Sequence, residues 1–197
     1  MQAPTDEQIR SLHQKYAPTK AAFERVYGHC VIVDEIAQQL IKENHLDVDA
    51  DLVHAGCLVH DIGVYALYKN GVLDGQNYIT HGVLGEKILQ DESYPQQLQR
   101  MAANHTGVGL SRHDVKAQHL PIPERDYIAV TPEEQIVMYA DKFHSKTTPP
   151  YFNSVAWFLD HIAQFGVDKA DTFKKMVAEY GEPDLEALSG KYGYLIR

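Results

Sequence analysis

Six residues in this sequence belong to the types that hold first-row transition metals: His29, His60, Asp61, His81, His105 and Asp141. Two of them are adjacent, in CLVHDIGVY at residues 57–65, where a histidine and an aspartate stand between an apolar run and a glycine. Taken alone, that pair reads as a polar helix end closed by Gly63. Four imidazoles and two carboxylates together suit iron, manganese, cobalt or zinc. A single ion that also holds a water and a substrate rarely takes six protein ligands, so the set divides more naturally between two ions. Adjacent helical residues point about 100° apart. His60 and Asp61 can therefore straddle neighbouring ions, with Asp61 as the bridge. Two metals clamping attacking and leaving oxygens is a known solution for phosphate ester hydrolysis.

The elements that must position these groups read as helices from end to end, with almost no sustained period-two alternation. Thr5 or Asp6 caps a first helix, which Pro18 follows. A second pattern runs from Thr19 to about Asn44 with a break at Gly28, and Ile32, Val33, Ile36, Ala37 and Leu40 form its apolar stripe. Asp49 caps a third helix that ends at Gly63. GVYALYKNGVLDGQNY reads as a surface loop. Thr80 caps HGVLGEKILQ, Pro95 opens PQQLQRMAANH, and Gly107 ends that helix. Residues 111–130 read as a long loop with room for one short helix. TPEE then gives the clearest start signal, with Thr131 as N-cap, Pro132 in the first turn and Glu134 closing a capping box. The helix behind it runs through QIVMYADKFHSK. Two further helices, about 153–165 and 168–180, stop at Gly166 and Gly181, and the final GKYGYLIR has no assignment.

The expected fold is all-α, a single-domain helical bundle. An N-terminal helix occupies 1–18, the metal-binding body 19–147, and a C-terminal helical extension 148–197 packs on the same domain. Each of the six ligand-type residues falls at an end, or on the inner face, of an apolar stripe. That placement aims them at one interior, where an unpaired carboxylate is costly.

Composition narrows the function. A formal charge of −9 over 197 residues argues against a protein that mainly holds nucleic-acid backbone. No run approaches the roughly 20 apolar residues of a membrane span, and the polar start MQAPTDEQIRSLHQKY is unlike a signal peptide. Two cysteines, Cys30 and Cys57, form no disulfide framework and fit a reduced cytoplasm as small buried residues. His13, His45, His54, His113, His119 and His161 read as surface or structural.

The order H…HD…D, carried by His29, His60–Asp61 and Asp141, resembles the HD superfamily of metal-dependent phosphohydrolases, and HDIG at 60–63 is the string after which a large subset is named. His81 and His105 fill the two histidine places of its dinuclear members. NHTG at 104–107 and EEQIVMYADK at 133–142 look similar to the branch of the symmetrical diadenosine tetraphosphate hydrolases. The resemblance covers about residues 20–147. It departs in a longer stretch between His105 and Asp141, expected to wall the substrate pocket, and in FHSKTTPPYF after ADK.

The resemblance implies an HD-domain bundle holding two divalent or trivalent transition-metal ions, iron first, with manganese, cobalt, nickel or zinc admitted. His60 and Asp61 would be catalytic, and a metal-activated water would cleave a phosphate ester or anhydride. The substrate would be a nucleotide or similar small phosphorylated metabolite, with no nucleic acid or membrane partner and a homodimer admitted. By position, Lys142, Lys146, Arg112, Arg25 and His144 are the candidates to contact it. A diiron oxygenase on the same ligands is the alternative enzyme. A catalytically idle nucleotide-binding regulatory module is the alternative outside enzymes.

Overall fold

The Thr5 hydroxyl accepts from the Gln8 N–H while the Gln8 side chain accepts from the Thr5 N–H, a capping box that starts α1 at Asp6–Tyr16. This computed structural model describes residues 4–197, so residues 1–3 of the expected N-terminal unit lie outside the described residues. α2 runs unbroken through Lys20–Glu43. The break expected at Gly28 is absent. One helical glycine costs about 1 kcal/mol, whereas each buried aliphatic on the α2 stripe (Val26, Ile32, Val33, Ile36, Leu40) contributes about 1.5–3 kcal/mol.

Asp49 caps α3, Ala50–Val59, through the Leu52 N–H. That helix ends at Val59, and residues 62–67 continue as a 3-10 turn, so Gly63 lies inside a turn rather than at a helix stop. The segment expected as a loop holds that turn, a hairpin of β1 (Tyr68–Lys69) and β2 (Val72–Leu73), and a second 3-10 turn at Tyr78–Thr80. α4 follows at His81–Asp91. Its expected Thr80 cap is not made: Thr80 has a helical backbone (φ −80°, ψ −8°) rather than the extended one of an N-cap, and its hydroxyl donates to the Asn77 carbonyl.

α5 spans Gln96–Asn104 behind Pro95. The stretch after it contains α6, Arg112–Ala117, started by a capping box between Ser111 and Asp114. Thr131 and Pro132 begin α7, Pro132–Asp141, as expected. The Glu134 carboxylate does not close the box: it pairs with Arg100 and accepts from the Val130 N–H. α7 also stops at Asp141 instead of continuing through Lys146, since His144–Ser145 forms β3.

β3 pairs antiparallel with β4 (Tyr151–Phe152), and β4 pairs in parallel with β5 (Leu195–Ile196). Between them lie α8 (Val155–Ala163), α9 (Val167–Tyr180) and α10 (Leu185–Tyr192). The unassigned GKYGYLIR is thus the end of α10 followed by β5. The all-α reading holds, with three very short strands sewing the last fifty residues to the end of α7. One apolar core draws on every helix from α1 to α10 except α6. Among the described residues, no helix is long and apolar enough to cross a membrane.

Candidate metal centre

Three histidines on three elements use one device. His60, at the C-cap of α3, donates from Nδ1 to the Cys57 carbonyl at 2.7 Å. His81, opening α4, donates to the Tyr78 carbonyl at 2.6 Å, and His105, the C-cap of α5, to the Ala102 carbonyl at 2.8 Å. A carbonyl only accepts, so each Nδ1 carries a hydrogen, and His81 and His105, both held neutral by burial, present bare Nε2 lone pairs. Those lone pairs turn inward.

Glycine makes the convergence possible. A Cβ on Gly63 would stand 2.0 Å from the His81 carbonyl oxygen and 2.3 Å from the Gly85 nitrogen. A Cβ on Gly82 would stand 2.9 Å from the Ala102 carbonyl oxygen. The 62–67 turn, α4 and α5 therefore meet backbone to backbone, which brings the neighbourhoods of His60, His81 and His105 together.

Asp61 sits at the middle, fully buried. Its Oδ1 lies 3.6 Å from Nε2 of both His81 and His105, while Oδ2 lies 3.2 Å from His29 Nε2 and 3.6 Å from His60 Nε2. Asp141 at the end of α7 closes the other side, with Oδ1 2.9 Å from His29 Nε2 and 3.5 Å from His60 Nε2. All six residues grouped in the sequence thus come together. They form three overlapping triads whose ligand-type atoms lie within 4.8 Å of one another: His29–His60–Asp61, His60–His105–Asp141 and Asp61–His81–His105.

The donor set fits cations. His81 Nε2 faces His105 Nε2 at 2.9 Å, lone pair against lone pair. Burial, with His105 beside it, pushes His81 down to about 3, and burial lowers His105 as well, so no proton relieves the contact. Both Asp61 oxygens are fully buried, and among the described residues Lys146 is the lysine paired with them. Burial opposes charge on Asp61, yet Lys146 and the surrounding imidazoles outweigh it and hold the carboxyl well below the usual range. Burial likewise opposes charge on His60, but Asp61, with Cys30 and Asp141, overcomes it and raises that ring's pKa well above ordinary. The site draws positive charge into its middle, which a metal ion would supply.

A cleft of about 690 Å³ opens onto this centre. Of the residues expected to touch substrate, Lys142, Lys146, Arg25 and His144 line it. Lys146 reaches in to pair with Asp61. Lys142 is buried, bonded to Asp141 Oδ2 at 2.7 Å and to the His105 carbonyl at 2.8 Å. It neutralises Asp141 and ties α5 to α7. His144 stacks on His29, and its Nδ1 lies 2.8 Å from His29 Nδ1. Arg112 is a correction: it is exposed on the first turn of α6 and is not part of the cleft lining.

The rest of the lining escaped sequence reasoning. The insert before α7 supplies Leu110, Gln118 and Leu120, as its length suggested, but most of one wall comes from the C-terminal extension. Trp157, Phe158, His161 and Phe165 stand there, with Arg197 beside them. His161, expected to be surface or structural, lies on α8 and lines the cleft. A larger groove of about 780 Å³, between α1 and the 92–95 turn, lies apart and holds none of the six ligand-type residues.

The HD domain family model matches residues 26–146, from within α2 to the turn after β3. The chain belongs to the HD domain family. All six ligand-type residues lie inside the matched HD domain, and α8 to β5 lie outside it. Among curated proteins, the uncharacterized protein MJ0778 of Methanocaldococcus jannaschii is 36% identical over 121 residues, which is 60% of this chain and 65% of that protein. Two tRNA (cytidine(56)-2'-O)-methyltransferases also match. That of Picrophilus torridus is 32% identical over 63% of this chain and 33% of its own length. That of Thermoplasma volcanium is 31% identical over 70% of this chain and 36% of its own length. The matched part thus spans less than two thirds of each relative. Among solved structures, the HD domain of the L. monocytogenes phosphodiesterase PgpH superposes with a TM-score of 0.54 at 16% identity, covering 95% of this chain and 100% of that one. The same domain in complex with cyclic-di-AMP gives 0.53 at 17% identity, covering 96% and 99%. That likeness is one of fold.

Proposed function

We propose that this HD domain is a metal-dependent phosphohydrolase that cleaves a phosphate ester or anhydride of a nucleotide or similar small phosphorylated compound. The observation that carries the reading is the convergence of three backbone-anchored imidazole Nε2 atoms on a fully buried carboxylate, beside a cation-lined cleft. The phosphodiesterase PgpH, whose HD domain has been seen with cyclic-di-AMP, lends support to a nucleotide substrate.

His29, His60, Asp61, His81, His105 and Asp141 would hold two first-row ions. When bound, such ions polarise a phosphoryl oxygen and make water acidic enough to attack at neutral pH. The chain's own groups do the remaining work. Asp61 and Asp141 stay ionised, Asp141 because Lys142 and the neighbouring imidazoles outweigh its burial. Lys146 and Arg25 offer donors to the non-bridging phosphate oxygens. The contact between His29 Nδ1 and His144 Nδ1 takes one hydrogen. Placed on His29, it leaves His29 Nε2 as a lone pair and puts the His144 hydrogen on Nε2, which is buried without a partner among the described residues. His144 thereby orients His29 by accepting at Nδ1, and its own Nε2–H stays available as a donor.

The test is metal quantification on protein purified without chelator, followed by a phosphate-release screen over nucleotides, cyclic dinucleotides and dinucleoside polyphosphates. The expected result is bound iron or another first-row metal together with turnover of at least one of these. Metal-reconstituted protein that turns over none of them would overturn the reading.

A further inference from the structure

Five cationic side chains line the cleft: Arg25, Lys142, Lys146, Lys169 and Arg197. Three are neutralised, Lys142 by Asp141, Lys146 by Asp61 and Lys169 by Asp114. Among the described residues, no Asp or Glu pairs with Arg25 or Arg197, and Arg25 is an exposed side chain bonded to the Thr148 hydroxyl. Arg197 is held far more firmly. Its backbone N–H donates to the Phe152 carbonyl at 2.9 Å, and its main-chain oxygen accepts from the Ser154 N–H at 2.7 Å. Its Nε donates to Asn153 Oδ1 at 2.8 Å. Its guanidinium carbon lies 3.8 Å from the centroid of the Trp157 ring and 5.1 Å from that of Tyr151.

Only Nε is spent. The terminal nitrogens of Arg197 have no hydrogen-bond partner among the described residues, although the plane of the fork is fixed. A stacked, half-buried guanidinium with its outer donors free is preorganised for a phosphate or carboxylate, since little side-chain entropy remains to be lost. Its place relative to the metal centre is also set. Asn153 Nδ2 donates to the carbonyl of Lys142, the residue after Asp141, at 2.8 Å. Asn153 thus links Arg197 to the backbone next to Asp141, and all three residues line the same cleft. Trp157 stacks in turn on His161, and His161 meets Phe165 edge-on, which continues that wall with aromatic surface.

We infer that Arg197 binds a second anionic group of the substrate, beyond the phosphoryl group seated at Asp61 and Asp141. Arg197 therefore selects compounds with two or more phosphates over simple monoesters. This rests on the phosphohydrolase reading for the first group only. The residue lies outside the segment that the family model matches, so it is a feature of this chain's C-terminal extension.

The protein carries its own reporter, because Trp157 is its sole tryptophan. Inorganic tripolyphosphate titrated onto the metal-loaded protein should change Trp157 emission saturably. Arg197→Met should weaken that binding about ten- to a hundredfold, as expected for one lost charge-assisted contact, and Arg197→Lys by less. In steady state, Arg197→Met should raise KM for ADP by a similar factor while kcat/KM for p-nitrophenyl phosphate stays within about twofold. Emission that does not respond to tripolyphosphate in the wild-type protein overturns the inference whatever the variants do. So does equal loss on ADP and p-nitrophenyl phosphate in a variant that keeps the wild-type melting temperature. Arg197-dependent binding without turnover of any phosphate compound would retain the anion subsite and remove the hydrolase reading. Turnover indifferent to Arg197 would do the reverse.

Discussion

His13 and His81 are both buried histidines on helices, and both are pushed toward neutrality by burial, to about 4 and about 3. They differ in where the second nitrogen goes. His13 donates from Nε2 to the Leu58 carbonyl at 2.7 Å and accepts at Nδ1 from the Tyr65 hydroxyl at 2.8 Å, so both nitrogens have a protein partner. His81 gives Nδ1 to a carbonyl and turns Nε2 toward another histidine's lone pair. Burial and pKa therefore do not separate a core histidine from a ligand. The complementarity of the second contact does: His13 completes the core, and His81 is left with a lone pair that faces another lone pair and would suit a cation.

The largest expected effect breaks the ligand side of this contrast outright. Asp61→Ala removes the carboxylate that faces all four site imidazoles and leaves Lys146 without its partner. Metal content, measured by mass spectrometry, should fall to background, and phosphate release should fall at least about 10³-fold. Full activity in this variant would remove the proposed centre. His13→Ala should leave metal content unchanged.

Next in size is Gly63→Ala. The new Cβ meets backbone atoms of α4 rather than a movable side chain. Overpacking of this kind costs about 3 kcal/mol or more. It should also lower metal content, because α4 can yield only by carrying His81 away. A variant with normal melting temperature and metal content would show that the backbone approach is not what seats His81.

The two histidines can then be compared directly in chelator-treated protein. His13→Leu strands the Tyr65 hydroxyl and the Leu58 carbonyl, at about 1–3 kcal/mol. His81→Leu strands only the Tyr78 carbonyl and removes a lone-pair contact, so its cost in urea denaturation should be smaller. With metal restored the order should invert, since ions bound as proposed would stabilise the wild-type protein and His81→Leu would lose one of them. Equal costs in both states would erase the distinction between the two residues.

These contrasts also mark what was legible in the sequence. Residue type and order were enough to group His29, His60, Asp61, His81, His105 and Asp141, because metal chemistry restricts the ligand types. The start of α7 was equally legible, since Thr131 and Pro132 act locally. The convergence itself was not, because it depends on Gly63 and Gly82 being close-approach positions, and a glycine after HD reads equally well as a helix stop. Nor was the cleft wall. Trp157, Phe158 and Ile162 follow an ordinary amphipathic pattern on α8, and β5 is two residues long and exists only through pairing with Tyr151–Phe152. His161 and Arg197 enter the cleft by tertiary packing, for which local periodicity has no sign.

A third histidine completes the series from the surface side. His54 on α3 bonds Asp34 on α2 at 2.8 Å and Asp6 on α1 at 2.9 Å, with its side chain about a third exposed. The Asp34 hydrogen bond, against partial burial and with help from Asp6, raises its pKa from 6.5 to about 9. Folding therefore favours the protonated ring. The stabilisation is fully present below about pH 6.5 and is lost as pH rises through about 9. Solvent screening at such a site limits the effect to about 1 kcal/mol. Wild-type protein should accordingly lose that much stability relative to His54→Gln between pH 6 and pH 9.5, read as converging urea midpoints, with metal content unchanged throughout. A difference that stays constant with pH would mean that His54 links the three helices by shape rather than by charge. His54 is then distinct from both His13 and His81, for its two partners are acceptors that only a protonated imidazole can satisfy together.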